Sequence, residues 1–67
     1  MMKYQVIAYN RQMDVSNIIA KDKGYNLDEM IEKVTKKAKA TNCKRILIEV
    51  MREFAEECFE AINIYYL

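Results

Sequence analysis

The sequence predicts a small α+β domain in which an antiparallel sheet is covered on one face by helix. Three observations lead to this prediction. A short segment near the N-terminus is rich in aromatic and β-branched residues, residues 27–40 are strongly amphipathic, and the last third is dense in apolar side chains. The 67 residues suffice for one domain, residues 1–67. With 52% apolar and 31% charged residues and no proline, the composition is that of a folded chain.

The N-terminal part is predicted to form a β-hairpin. Residues 4–9 have strand-forming side chains on both faces, polar residues 10–12 and Asp14 indicate a loop, and residues 15–21 indicate a second strand. Residues 22–24 contain the only glycine, Gly24. We expect a turn there, because glycine is most useful where φ must be positive.

A helix is predicted over about residues 27–40. Asn26 is a suitable N-cap, and Glu29 follows three residues later as in a capping box. Acidic residues in the first turn and lysines in the last turn suit the helix dipole. Apolar residues recur at helical spacing at Leu27, Met30, Ile31, Val34 and Ala38. The stripe should face the sheet.

For the last third, periodicity favours a long second amphipathic helix. Its apolar stripe comprises Leu47, Val50, Met51, Phe54, Cys58, Ala61, Ile62 and Tyr65, and no Gly, Pro, Ser or Thr interrupts it. The alternative is two further strands, near 44–51 and 59–66, which gives a ββαββ order. Ile46, Ile48 and Val50 alternate as in a strand, and residues 62–66 are strand formers.

The composition argues against catalysis. Without histidine the commonest general base is missing, and two cysteines are too few for a zinc site. One glycine cannot form a phosphate-binding loop. We therefore expect no enzyme and no catalytic, cofactor-binding or metal-binding residue. Cys43 and Cys58 are interpreted as reduced, buried side chains, with a disulfide between them as the alternative. No signal segment or membrane-spanning run is apparent, which predicts a cytoplasmic protein with no membrane partner.

The near-neutral net charge of +1 conceals two blocks of opposite charge. The basic run comprises Lys33, Lys36, Lys37, Lys39, Lys44 and Arg45, and the acidic run comprises Glu49, Glu53, Glu56, Glu57 and Glu60. The basic run suits phosphate contacts, and the acidic run suits docking on a basic partner. If the last third folds back on the helix, the two runs instead pair as surface salt bridges, which is the interpretation we favour.

The function that these features predict is a small protein–protein interaction module, an inhibitor or regulator of a larger protein. The alternative is a nucleic-acid-binding domain that uses the basic run. Tyr65 and Tyr66 cannot both point inward, so one is exposed or lies in an interface. The candidate partner-binding residues are Lys33, Lys36, Lys37, Lys39, Lys44, Arg45, Glu53, Glu56, Glu57, Glu60, Tyr65 and Tyr66.

The last third also has more apolar side chains than one small core can bury. With a second helix, the surplus comprises Ile46, Ile48, Phe59, Ile64 and Tyr66, and with strands it moves to Leu47 and Met51. Soluble monomers rarely leave a large apolar patch exposed. We therefore predict a homodimer with the C-terminal third in its interface.

Overall fold

The fold is a four-stranded antiparallel sheet with one helix packed on it. The computed structural model describes residues 1–12 and 17–67. The elements in chain order are β1 (Tyr4–Asn10), β2 (Asn17–Gly24), α1 (Leu27–Lys39), β3 (Ile46–Ala55) and β4 (Cys58–Tyr66). The strand order in the sheet is β2-β1-β3-β4, and every neighbouring pair is antiparallel. The predicted α+β class and antiparallel sheet are confirmed.

Helix α1 begins and ends close to where the sequence predicts. The Asn26 side chain accepts a hydrogen bond from the Glu29 backbone N–H at 3.2 Å, and its amide donates to the Glu29 carboxylate at 3.2 Å. At the other end, the Ala40 N–H donates to the Lys36 carbonyl and the Thr41 N–H donates to the Ala38 carbonyl, each at 3.2 Å. These contacts satisfy backbone groups that a helix end leaves free. The predicted N-cap is therefore confirmed.

The core lies between α1 and one face of the sheet. Val6 pairs with Val50, and Ala8 pairs with Ile48, so these side chains point to the same side of the sheet. The buried residues that form the core are Val6, Ala8, Met30, Val34, Ala38, Ile46, Ile48 and Val50. Burial of a valine, isoleucine or methionine side chain stabilises a fold by about 1.5–3 kcal/mol. The buried sheet residues of the core come from the central strands β1 and β3, and Ile19 and Ala20 of β2 also pack against it, because α1 lies over β1 and β2.

The predicted turn at residues 22–24 is wrong, because β2 continues through them. Gly24 pairs with Tyr4, and its φ is not positive. A Cβ atom at Gly24 would lie 3.5 Å from Met30 Sδ, an ordinary contact. The glycine therefore lies in regular strand where α1 crosses the sheet. The predicted loop position Asp14 and the predicted strand start at residue 15 lie outside the described residues.

The predicted second helix is also wrong, and the alternative with two strands is correct. β3 and β4 form a hairpin, with Ala55 paired to Cys58 and a turn at Glu56 and Glu57. Glu57 has a φ of 58°, a left-handed conformation that is uncommon outside glycine, asparagine and aspartate. The turn therefore cannot be recognised from its residue types, because glutamate is not typical of a turn.

Candidate interaction surface

The side of the sheet opposite α1 has no covering element among the described residues. Side chains alternate along a strand, so the neighbours of core residues point to this side. Ile7 pairs with Glu49, which pairs with Ile64, and these three side chains share the uncovered side. We call this surface the open face. Its other members include Gln5, Tyr9, Lys21, Lys23, Leu47, Met51, Glu53, Phe59 and Tyr66.

Exposure of the open face increases toward β4. Ile7 in the central strand β1 is only 8% exposed, whereas Ile64 and Tyr66 in β4 are 54% and 49% exposed. Leu47 and Met51 in β3 are half-buried. Neighbouring strands shield the central side chains, whereas β4 is an edge strand of the sheet. Leu47 and Met51, the apolar side chains that the alternative with two strands leaves outside the core, therefore lie on the open face.

A hydrogen bond links Tyr9 and Glu49 on the open face. The Tyr9 hydroxyl donates to the Glu49 carboxylate at 3.2 Å. Partial burial, to which the charge of Glu49 adds, raises the pKa of Tyr9 above its usual 10.0. Tyr9 therefore stays neutral at physiological pH and holds a carboxylate among apolar side chains.

Two aromatic side chains of β4 lie beneath cations. The Arg45 guanidinium is 5.0 Å from the centre of the Tyr66 ring, and the Lys23 ammonium is 5.2 Å from the centre of the Phe59 ring. Such contacts stabilise exposed sites by about 0.5–1 kcal/mol. The apolar surface thus has a positive charge at each end of β4. Arg45 and Tyr66, both predicted partner-binding residues, are in contact with each other.

Glu57 anchors the β3–β4 turn to Lys3, just before β1, and to Lys23 of β2, at the same end of the sheet. Its carboxylate accepts hydrogen bonds from Lys3 at 3.1 Å and Lys23 at 3.2 Å, and its N–H donates to Glu53 at 2.9 Å. The hydrogen bonds from Lys3 and Lys23 lower the pKa of Glu57, and the bond to Glu57 raises the pKa of Lys3. Predicted partner-binding residues Glu53 and Glu57 are therefore engaged within the chain.

The Glu57 ion pairs make stability depend on pH in the acid range. Since folding lowers the pKa of Glu57 below 4.5, its contribution exists above that value and disappears as pH falls through the lower folded-state pKa. We expect Glu57→Gln to be slightly less stable than the wild type in urea melts at pH 7, and the difference to shrink as the pH is lowered toward 3. Glu56→Gln is the control, since its carboxylate forms no ion pair in the described part of the chain. A Glu57→Gln difference of the same size at both pH values would contradict this account.

The predicted pairing of the basic and acidic runs is wrong. Within residues 1–12 and 17–67, the ion pairs are Lys3–Glu57, Lys23–Glu57 and Arg52–Glu60, and none involves the basic run. The reason is the hairpin, which points Glu49 and Glu53 to the open face, away from α1. All members of the basic run are exposed: Lys33, Lys36, Lys37, Lys39, Lys44 and Arg45.

The remaining predicted partner-binding residues are spread over the molecule. Glu56 is exposed at the hairpin turn, and Glu60 pairs with Arg52 at 2.9 Å. Tyr65 is half-buried and packs against the core, whereas Tyr66 is exposed. The prediction that only one of these two tyrosines points inward is confirmed. The structure therefore brings Arg45 and Tyr66 together but does not gather the whole predicted set into one site.

The open-face residues Ile7, Leu47, Met51, Phe59 and Ile64 were not among the predicted partner-binding residues. The sequence indicates them only if the last third is taken as strands, because apolar residues then lie on both faces of those strands. If the last third is taken as a helix, the same residues do not form one surface. The alternative with two strands correctly predicts that Leu47 and Met51 lie outside the core.

Both cysteines are free thiols as predicted, but the prediction that they are buried is wrong. Cys43 is half-buried, with its sulfur 3.0 Å from Asn10 Oδ1 and 3.2 Å from the Arg45 carbonyl, and Cys58 is exposed beside the hairpin turn. Both are free thiols, so the alternative with a Cys43–Cys58 disulfide is wrong. Cys58 is exposed because it begins edge strand β4 directly after the turn.

A depression of about 440 Å³ lies at the start of α1. It is lined by Met1, Tyr4, Tyr25, Asn26, Leu27 and Asp28. In the described parts of the chain, no group of three or more His, Cys, Asp or Glu residues is arranged to hold a metal ion. No helix in the described ranges has the length and apolar character needed to cross a bilayer.

Comparison of the chain with known protein families, with characterised proteins and with solved structures finds no match. Its function therefore has to be inferred from its own surface, of which the open face is the most distinctive part.

Proposed function

We propose that this chain is a non-catalytic protein–protein interaction module, and that the open face binds a larger protein as an inhibitor or regulator. The observation that carries this proposal is an uncovered sheet face with apolar side chains across its central and C-terminal strands. Soluble monomers rarely expose large contiguous apolar patches, and such patches mark interaction sites.

The chemistry of the open face supports a protein partner. Tyrosine, phenylalanine, methionine and arginine are enriched at protein interfaces, and Tyr66, Phe59, Met51 and Arg45 lie on or beside the open face. The cation–π contacts and the Tyr9–Glu49 hydrogen bond place polar groups among the apolar ones. A partner would therefore bury apolar side chains together with the Glu49 carboxylate and meet the cations of Lys23 and Arg45 at the two ends of β4.

The proposal is tested by placing a charge in the middle of the open face. We expect wild-type protein to capture a partner from a lysate of its source cells, and Met51→Lys to bind the purified partner at least about tenfold more weakly, since a buried unpaired ammonium is costly. The control is Glu32→Lys, which adds the same side chain on the exposed side of α1. Thermal melts by circular dichroism establish that both variants fold. Equal affinities of wild type and Met51→Lys would contradict the proposal.

A second candidate function is nucleic-acid binding. It is supported by the exposure of the whole basic run and by the absence of ion pairs between it and the acidic run among the described residues. The lysines also have a structural explanation. Lys36, Lys37 and Lys39 lie in the last turn of α1, where cations interact favourably with the helix dipole. The acidic residues Asp28 and Glu29 in the first turn interrupt the positive surface.

We expect the structural explanation to hold. Wild-type protein should not shift duplex or single-stranded DNA in a gel at physiological salt, and Lys36→Glu combined with Lys37→Glu should lower stability by about 0.3–1 kcal/mol per charge at low salt. A shift of wild-type protein that weakens steeply with salt and disappears in the double variant would instead establish the nucleic-acid function.

We also propose that the chain forms a homodimer and is cytoplasmic. A domain of this size gains support from self-association, and burial of exposed Ile64 and Tyr66 would supply it. The exposed free thiol of Cys58 supports a reducing compartment, where such thiols persist.

A further inference from the structure

The two edge strands of the sheet differ in how well they are protected against pairing. Edge strand β2 carries Lys21, Asp22 and Lys23, and charged side chains are a common protection of sheet edges. Edge strand β4 is longer, and its only charged residue is Glu60. An exposed, long and apolar edge strand is a template for another strand. Because β4 has fewer charged residues than β2, we expect another strand to pair with β4 rather than with β2.

The direction of the backbone groups in β4 follows from one hydrogen bond. The Leu67 N–H donates to the Ile46 carbonyl at 3.0 Å. Residues of an antiparallel ladder alternate between bonding to one neighbour and to the other side. Tyr65, two residues before Leu67, therefore bonds to β3. The N–H and C=O groups of Ile64 and Tyr66 point away from the sheet, at its free edge.

We infer that β4 pairs with β4 of a second copy, antiparallel about a two-fold axis beside Tyr65. The inference specifies the geometry of the homodimer proposed above and rests on that proposal. Ile64 of each copy then lies opposite Tyr66 of the other, and these two pairs exchange about four backbone hydrogen bonds. The two sheets become one continuous sheet, and their open faces join into one surface.

The side chains of β4 favour its own copy as the occupant of this edge. At the axis, Tyr65 meets Tyr65 of the second copy on the side of the helices, and aromatic cross-strand pairs are stabilising. On the open face, Ile64 packs beside Tyr66. Glu60 lies beyond the paired segment, so no like charges are placed opposite each other. Every outward backbone group of Ile64 and Tyr66 gains a partner.

Proline at position 64 tests this geometry, because the Ile64 N–H makes no bond to β3. Ile64→Pro should leave the β3–β4 ladder intact, as proline is tolerated on the outer side of an edge strand. It removes two intermolecular hydrogen bonds from the dimer, which should weaken dimerisation by about 30-fold or more in sedimentation equilibrium. Ile64→Thr is the matched control: it keeps the N–H and β-branching, and it should dimerise far more strongly than Ile64→Pro.

Amide hydrogen exchange on wild-type protein covers the case in which Ile64→Pro fails to fold. The Ile64 and Tyr66 amides should be protected at high protein concentration and exchange freely on dilution, whereas the Tyr65 amide should stay protected.

A wild-type monomer at about 100 μM, well above the micromolar range in which ordinary interfaces assemble, would overturn both the homodimer and the inference. If Ile64→Pro still dimerises but Met51→Lys does not, pairing through the β4 edge is wrong. Self-association would then take place through the open face. Neither result bears on capture of a different protein by the open face.

Discussion

Val34→Asp is expected to leave no cooperatively folded protein. Val34 is 1% exposed and packs in the core between α1 and the sheet, so the carboxylate would be buried without a partner. The cost of burying an unpaired charge exceeds the total stability of a domain of this size, which is about 3–5 kcal/mol. Circular dichroism should show loss of helix and no melting transition.

The matched control for Val34→Asp is Glu32→Ala, two residues earlier on the exposed side of α1. Surface substitutions of this kind change stability by no more than about 0.5 kcal/mol. A cooperative melt of Val34→Asp at the wild-type temperature would mean that the helix does not face the sheet as described.

Ile48→Ala is expected to lose most of the stability, because Ile48 has 0% exposure and lies in central strand β3. Removal of its side chain leaves a cavity, and such substitutions cost about 2–5 kcal/mol. The same substitution at Ile62 in β4, which is 45% exposed, should cost less than about 1 kcal/mol. Urea denaturation measures both values, and equal losses would contradict the assignment of β3 to the core.

Local signals in the sequence are sufficient for β1 and for helix α1, but not for the end of β2. Helix α1 has an N-cap at Asn26 and a single apolar stripe, so its position follows from periodicity and capping alone. Gly24 was misleading for a physical reason. It does not provide a positive φ, and it lies in regular strand where Met30 of α1 approaches.

The β3–β4 hairpin was concealed by three features. Both faces of β3 are apolar, with Ile48 in the core and Leu47 and Met51 on the open face, so a helical stripe can also be traced through them. The β3–β4 pairing shifts register in two places, which interrupts the alternation typical of strands. The turn uses Glu57 in a conformation that normally indicates glycine or asparagine.

The candidate site depended on this hairpin and was therefore predicted only in part. Charge and aromatic content predict Arg45 and Tyr66 as binding residues, and both lie on or beside the open face. Charge order predicts Glu53 and Glu57 as binding residues too, but their carboxylates form hydrogen bonds that hold the hairpin turn. Charge order along a chain does not specify which charges meet, because strand register decides it.

The central claim, that the open face is the binding surface of this chain, is tested most directly by photo-crosslinking in the source cells. A photoreactive phenylalanine derivative at position 51 lies in the middle of the open face, and the same group at position 33 lies on the exposed side of α1. We predict a discrete adduct with a larger protein from position 51 and none from position 33. An adduct from position 33 alone would contradict the claim.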